Sequence, residues 1–151
     1  MIERVHHVSF TVSDLERSLC FYCEGLGFAV TDDRTVSGDF PQTVSGLPGA
    51  HMRIVHLRGH GQGLELIQYH APAGKSPAPR TCDVGSAHLC YVVDDIDAEM
   101  ERVRRVGARF LSDAMTVVGG PNAGNRMVYF LDPDGIPMEF TQAVRIAERD
   151  A

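Results

Sequence analysis

The chain repeats itself, and this constrains its fold more than any other feature. The segment HVSFTVSDLERSLCFYCEGLGF, from His7, can be laid on HLCYVVDDIDAEMERVRRVGARF, from His88. His7 then falls on His88, Phe10 on Tyr91, Val12 on Val93, Asp14 on Asp95 and Leu15 on Ile96. Further along, LELIQY laid on MEFTQA puts Glu65 on Glu139 and Gln68 on Gln142. Each copy opens with a histidine on an apolar strand and closes with a glutamate on another. Between them lies APAGKSPAPRTCDVGS, whose proline, glycine and serine mark a linker. One domain over residues 1–151 is expected. It comprises module 1 (about 3–70), the linker (71–86), module 2 (87–143) and a C-terminal tail (144–151).

Within each copy the pattern predicts β-α-β-β-β. Residues 4–12 alternate as a strand does. Ser13 and Glu16 have capping-box spacing for a helix over about 14–24, with Leu15, Leu19 and Tyr22 on one face. Strands are expected at 28–33, 51–57 and 63–69, with a long loop over 34–49. The second copy predicts a strand at 87–93, a helix over 96–106 ended by Gly107, and strands near 108–112, 126–131 and 137–142. Asp132-Pro133-Asp134-Gly135 is a turn sequence between the last two. The fold class is α+β, with helices on one face of a mixed sheet and the other face free.

Side chains alternate across a strand, so the free face can be read off. Val8, Phe10 and Val12 pack towards the helix, which turns His7 to the open side. Leu89, Tyr91 and Val93 do the same and turn out His88 and Cys90. Leu64 and Leu66 oppose Glu65; Met138 and Phe140 oppose Glu139. Two half-sheets curving together would gather two imidazoles and two carboxylates. That donor set suits one divalent transition metal: Zn, Ni, Co, Mn or Fe(II). A single strand histidine is usually structural, and a single glutamate is often the wet side of an amphipathic strand. Four such residues at repeat-related positions are harder to dismiss, because neighbouring carboxylates in an apolar setting need a cation or a shared proton.

Composition excludes several classes. The formal net charge of −6 argues against a nucleic-acid surface. No apolar run reaches membrane-spanning length, and MIERVHHVSF lacks the apolar core of a signal peptide. A cytoplasmic location, with no membrane partner, is therefore expected. The four cysteines, Cys20, Cys23, Cys82 and Cys90, fit reduced thiols there. Cys20 and Cys23 have C-x-x-C spacing but fall in a predicted helix, so they are read as buried core thiols.

The segments HHVSFTVSDLERSLCFYCEGLGF, LELIQY, AHLCYVVDDID and YFLDPDGIPMEF resemble the vicinal oxygen chelate superfamily over about residues 3–143. That superfamily includes glyoxalase I, methylmalonyl-CoA epimerase, extradiol dioxygenases, and the fosfomycin and bleomycin resistance proteins. The resemblance implies two βαβββ modules forming an incomplete mixed β-barrel around a metal. It also implies a homodimer, and ligand positions at His7, Glu65, His88 and Glu139. A full four-ligand set resembles that of glyoxalase I. The expected reaction is therefore that of a metal-dependent lyase or isomerase, lactoylglutathione lyase-like, on a small substrate with vicinal oxygens. It would proceed by proton abstraction next to a carbonyl through a metal-bound enediolate. By analogy Glu139 is the base, with Glu65 the alternative. An extradiol Fe(II) dioxygenase is a second reading. Tyr129, the DPDG turn and Glu139 fit it, but GGPNAGNRM offers Asn122 and Asn125 where a proton-handling histidine is wanted. A methylmalonyl-CoA epimerase-like enzyme commonly has glutamine at the position of Glu65. A non-enzymatic drug-binding protein can lack the ligand set altogether.

Arg53, Asn125 and Tyr129 are candidate substrate contacts. An arginine can hold a carboxylate or phosphate; an exposed salt bridge is the alternative for Arg53. Residues 117–126 are a candidate loop to close over substrate. His51, His56, His60 and His70 belong to no repeated pattern and read as surface or loop histidines. Phe40, Met52 and Met115 are candidates for pocket lining or core.

Overall fold

The computed structural model describes residues 1–75 and 80–144. The chain divides into two compact units, residues 1–77 and 78–151, in agreement with the internal repeat. In unit 1, β1 is Val8–Thr11 and α1 is Leu15–Leu19, which continues as a π-helical segment, Cys20–Gly25. There follow β2 (Ala29–Val36), α2 (Asp39–Ser45), β3 (His51–Gly59) and β4 (Gln62–Ala71). Their sheet has the order β1-β4-β3-β2, with β1 parallel to β4 and the other pairs antiparallel. In unit 2, β5 is Leu89–Val92, α3 Ile96–Arg104, β6 Arg109–Phe110, β7 Met115–Thr116, β8 Arg126–Leu131 and β9 Pro137–Gln142. The order is β5-β9-β8-β6, with β7 also on β8. Both β6 and β7 pair with β8, so together they are the counterpart of β2, broken in two. Among the described residues no helix is long and apolar enough to cross a membrane.

The repeat holds at the level of register. Ser9 pairs with Glu65 and Phe10 with Leu66; Cys90 pairs with Glu139 and Tyr91 with Phe140. The alternation reading is correct. Leu64, Leu66, Met138 and Phe140 are fully buried. Phe10, Leu15, Phe21, Tyr22, Val55 and Leu57 complete much of the first core, and Ile96, Met100, Val103, Val128 and Phe130 much of the second.

The repeated glutamines have a structural task. Gln68 accepts from the Leu15 N–H at 3.0 Å and donates to the Ser13 carbonyl at 3.1 Å. Gln142 accepts from the Ile96 N–H at 3.3 Å and donates to the Asp94 carbonyl at 2.7 Å. Each clamps the turn between its first strand and the following helix, satisfying one of the helix's orphan N–H groups. The carboxylates of Asp14 and Asp95 cap the same helices, accepting from Arg17 N–H and Ala98 N–H.

Several boundaries differ from expectation. The first helix is capped by Asp14, not Ser13, because Asp14 has the extended backbone and accepts from three residues on. Its α-helical part is short and passes into π geometry. Strand β1 begins at Val8 rather than residue 4. The expected loop 34–49 holds the end of β2 and all of α2, a helix with exposed Phe40 and Val44. Cys20 is exposed and Cys23 half-buried, so this pair is not core; Phe21 and Tyr22 take the buried positions. Met52 is core, whereas Phe40 and Met115 are exposed. Parts of the expected linker and tail, residues 76–79 and 145–151, lie outside the described residues.

Candidate functional site

The strands place a histidine against a glutamate in each unit. His7 stands one residue before β1, and Glu65 is on the adjoining β4. His7 Nε2 lies 3.5 Å from Glu65 Oε1. In unit 2, His88 Nε2 lies 3.1 Å from Glu139 Oε2. The carboxylates are well covered, with side chains 14% and 9% exposed, while the imidazoles are 34% and 38% exposed. A carboxylate sunk in the sheet thus sits behind an imidazole that reaches solvent.

Gly63 permits this approach in unit 1. A Cβ there would stand 2.5 Å from the His6 carbonyl oxygen and 3.4 Å from His7 Cβ. Beyond that, His6 Nδ1 and His7 Nδ1 are 2.8 Å apart. One of the two must donate, and a proton on His7 Nδ1 leaves its Nε2 lone pair directed towards Glu65.

Each carboxylate also has a neighbour on the third strand of its sheet. His56 on β3 pairs in register with Glu65, and Tyr129 on β8 pairs with Glu139. His56 Nε2 is 3.0 Å from Glu65 Oε2. Its Nδ1 is buried and faces Asp32 at 3.5 Å, within ion-pair reach but without hydrogen-bond geometry. Tyr129 is the register partner of Glu139 and packs edge-on against His88, with 5.2 Å between ring centroids. Burial and the Glu139 charge hold the Tyr129 hydroxyl above its ordinary pKa. Burial, then Glu139, pushes the Cys90 thiol up to about 11. Both groups keep their protons at neutral pH, so each is a donor group beside Glu139.

The donor chemistry fits a divalent metal in part. Nitrogen and oxygen ligands held about 2.0–2.2 Å from one ion, at right angles, lie about 3 Å apart. Separations of 3.5 Å and 3.1 Å are near that value. Two donors do not complete a sphere of four or more, so each pair is at most half of a ligand set. Among the described residues, no group of three or more His, Cys, Asp or Glu side chains is arranged to hold a metal ion.

Other candidates have different occupations. Arg53 is held bidentately by Asp33, at 2.9 and 2.7 Å, and by Glu16 at 2.6 Å. It ties β2, β3 and α1 together, so the salt-bridge alternative is the one observed. Asn125 accepts from Val144 N–H through its side chain and from Val117 N–H through its carbonyl, which organises the 117–125 loop. His60 is at the β3–β4 turn, with Nε2 2.6 Å from the Leu26 carbonyl oxygen. His51 and His70 pack on each other, with centroids 4.9 Å apart.

His56 is the residue that sequence reasoning missed. The signal was the dipeptide His60-Gly61. Both residues have positive φ, 53° and 74°, as a two-residue type I′ hairpin requires. Counting back through the register from that turn puts His56 opposite Glu65.

The chain belongs to the Glyoxalase/Bleomycin resistance protein/Dioxygenase superfamily, whose profile matches residues 4–140. It is 39% identical over 140 residues to a 2-epi-5-epi-valiolone epimerase of Actinomyces sp, spanning 89% of this chain and 76% of that one. The crystal structure of a glyoxalase family protein from Bacillus cereus superposes with a TM-score of 0.80 at 23% identity, covering 95% of both chains. A fosfomycin resistance protein, FosX, from Listeria monocytogenes, solved with Mn(II) and sulfate, has a TM-score of 0.64 at 19% identity and covers 96% of both chains. These two structures support the α+β glyoxalase-type fold.

Proposed function

We propose that the chain is a divalent-metal-dependent enzyme that moves a proton at a carbon beside a carbonyl group, as an epimerase or isomerase. The glyoxalase I-type lyase reaction uses the same proton abstraction. The observation that carries this reading is the duplicated pair: His7 with Glu65 and His88 with Glu139, at the same register in two sheets. A solvent-facing strand residue has no reason to recur as a histidine–glutamate pair. The 39% identity to an epimerase supports stereochemical inversion as the outcome.

In this reading His7, Glu65, His88 and Glu139 hold the metal. When bound, it polarises the substrate's oxygens and makes the neighbouring C–H more acidic. The remaining work falls to the protein. Glu139 is the base. It is 6% exposed, so its orientation is set by the side chains around it rather than by bulk water. Tyr129 and Cys90, both protonated, stand beside it as donor groups. Glu65 is the alternative base. A proton on His7 Nδ1, donated to His6 Nδ1 2.8 Å away, leaves His7 Nε2 free for the metal.

The test is solvent deuterium incorporation. Metal-loaded protein in D2O is offered cyclic polyhydroxy ketones, 2-alkyl acyl thioesters and hemithioacetals of 2-oxoaldehydes, with NMR following the hydrogen beside the carbonyl. The reading requires exchange in one class, lost in Glu139→Gln. Exchange that is indifferent to Glu139→Gln and Glu65→Gln together refutes the assignment of the base.

A further inference from the structure

We infer that His56 is a positioning residue which fixes the rotation of Glu65 and thereby which of its oxygens is offered to a metal. This rests on the assignment of His7 and Glu65 as metal ligands. The two oxygens of Glu65 have different partners: Oε1 faces His7 Nε2 at 3.5 Å, and Oε2 faces His56 Nε2 at 3.0 Å. A carboxylate on a glutamate turns about its last torsion with little resistance. Free to turn, it can offer both oxygens to one ion. With Oε2 held 3.0 Å from His56 Nε2, Oε1 is the oxygen on the His7 side. The clamp is rigid, because His56 and Glu65 are register partners on paired strands joined by a two-residue turn. His56 is itself half-buried and seated against Asp32 on β2. It has a counterpart at the same position of unit 2, where Tyr129 is the register partner of Glu139. The residue types differ, imidazole on one side and phenol on the other, but each occupies the third-strand position beside the carboxylate.

A partner that orients a metal ligand changes metal affinity or activity by about 10–100-fold when removed. The test uses the full-length chain stripped of metal and titrated with Co(II), following heat and visible absorption, with His56→Leu, His56→Gln and His56→Asn compared. The Gln amide can still reach and donate to Glu65; the shorter Asn cannot. Expected are a loss of about 10–100-fold in Co(II) affinity for His56→Leu and His56→Asn, an altered Co(II) absorption band in both, and substantial recovery in His56→Gln. Should His56→Leu fail to fold by circular dichroism, the Gln and Asn variants decide between them. Wild-type affinity and band shape in His56→Asn overturn the inference. His7→Ala serves as the reference: unchanged Co(II) binding there defeats the ligand assignment itself, whereas loss there with normal binding in His56→Asn defeats only the role of His56.

Discussion

Replacing Gln68 by alanine removes a clamp whose contribution can be worked from its geometry. Two hydrogen bonds are lost, Leu15 N–H to Oε1 at 3.0 Å and Nε2–H to the Ser13 carbonyl at 3.1 Å. Each contributes about 0.5–1.5 kcal/mol net. Leu15 is fully buried, so its N–H gains no water in exchange. The expected loss is about 1–3 kcal/mol, and about 2–4 °C of Tm for each kcal/mol in a chain of this size. Gln68→Glu should lose less, since it keeps the acceptor and places negative charge at a helix N-terminus. Gln142→Ala should match Gln68→Ala, and the double variant should be additive within roughly 0.5 kcal/mol. Urea unfolding monitored by circular dichroism measures all four. A Gln68→Ala variant within about 0.5 kcal/mol of wild type would show that water or a neighbour replaces the amide, and that the repeated glutamine is not a structural device.

Gly63→Ala forces a Cβ to 2.5 Å from the His6 carbonyl oxygen, a backbone atom that can move only with the segment carrying His7 into β1. It should cost about 1–3 kcal/mol of stability and weaken metal binding by calorimetry; Gly74→Ala, with nothing within 4 Å, is the matched control. The Asp33–Arg53 pair sets a pH effect. The Arg53 hydrogen bond holds the Asp33 carboxyl below its usual range, so its folded pKa lies under its unfolded one. The stability it contributes is present above about pH 4 and is lost as pH falls through the folded value. Asp33→Asn should therefore be less stable than wild type at pH 7, by up to about 1 kcal/mol for a pair this exposed. The two should converge as pH falls through the folded Asp33 value, as measured by urea titrations at each pH. A difference that does not shrink on acidification excludes this linkage.

Much of this architecture was legible because it is written twice. One histidine or one glutamate on a strand has little meaning, but Glu65 and Glu139 occur in the same frame relative to buried leucine, methionine and phenylalanine neighbours. Period-two alternation then gave the face of each residue. Helix α2 was hidden because DFPQTVS carries a proline and β-branched residues and lacks a side-chain cap at Gly38. The cap of α1 was displaced by one residue because Ser13 and Asp14 are both good caps, and the backbone chose Asp14. The C-x-x-C pair was misread because a short α-helix passing into a wider π turn does not keep the 3.6-residue period over residues 20–25. Arg53 was open to a substrate role until Asp33 and Glu16, 20 and 37 positions away, were seen to hold it. His56 required a register count rather than a motif, since nothing at its own position in the sequence marks it.

Metal content tests the central claim most directly. Chelator-stripped wild-type protein, His7→Ala and Glu139→Ala are each equilibrated with Mn(II), Co(II) or Zn(II), passed through a desalting column and assayed by mass spectrometry of the element. The account predicts one ion per chain in the wild type and a marked loss in both variants, one altered in each unit. Wild-type metal content in either variant, or two independent ions per chain, contradicts it.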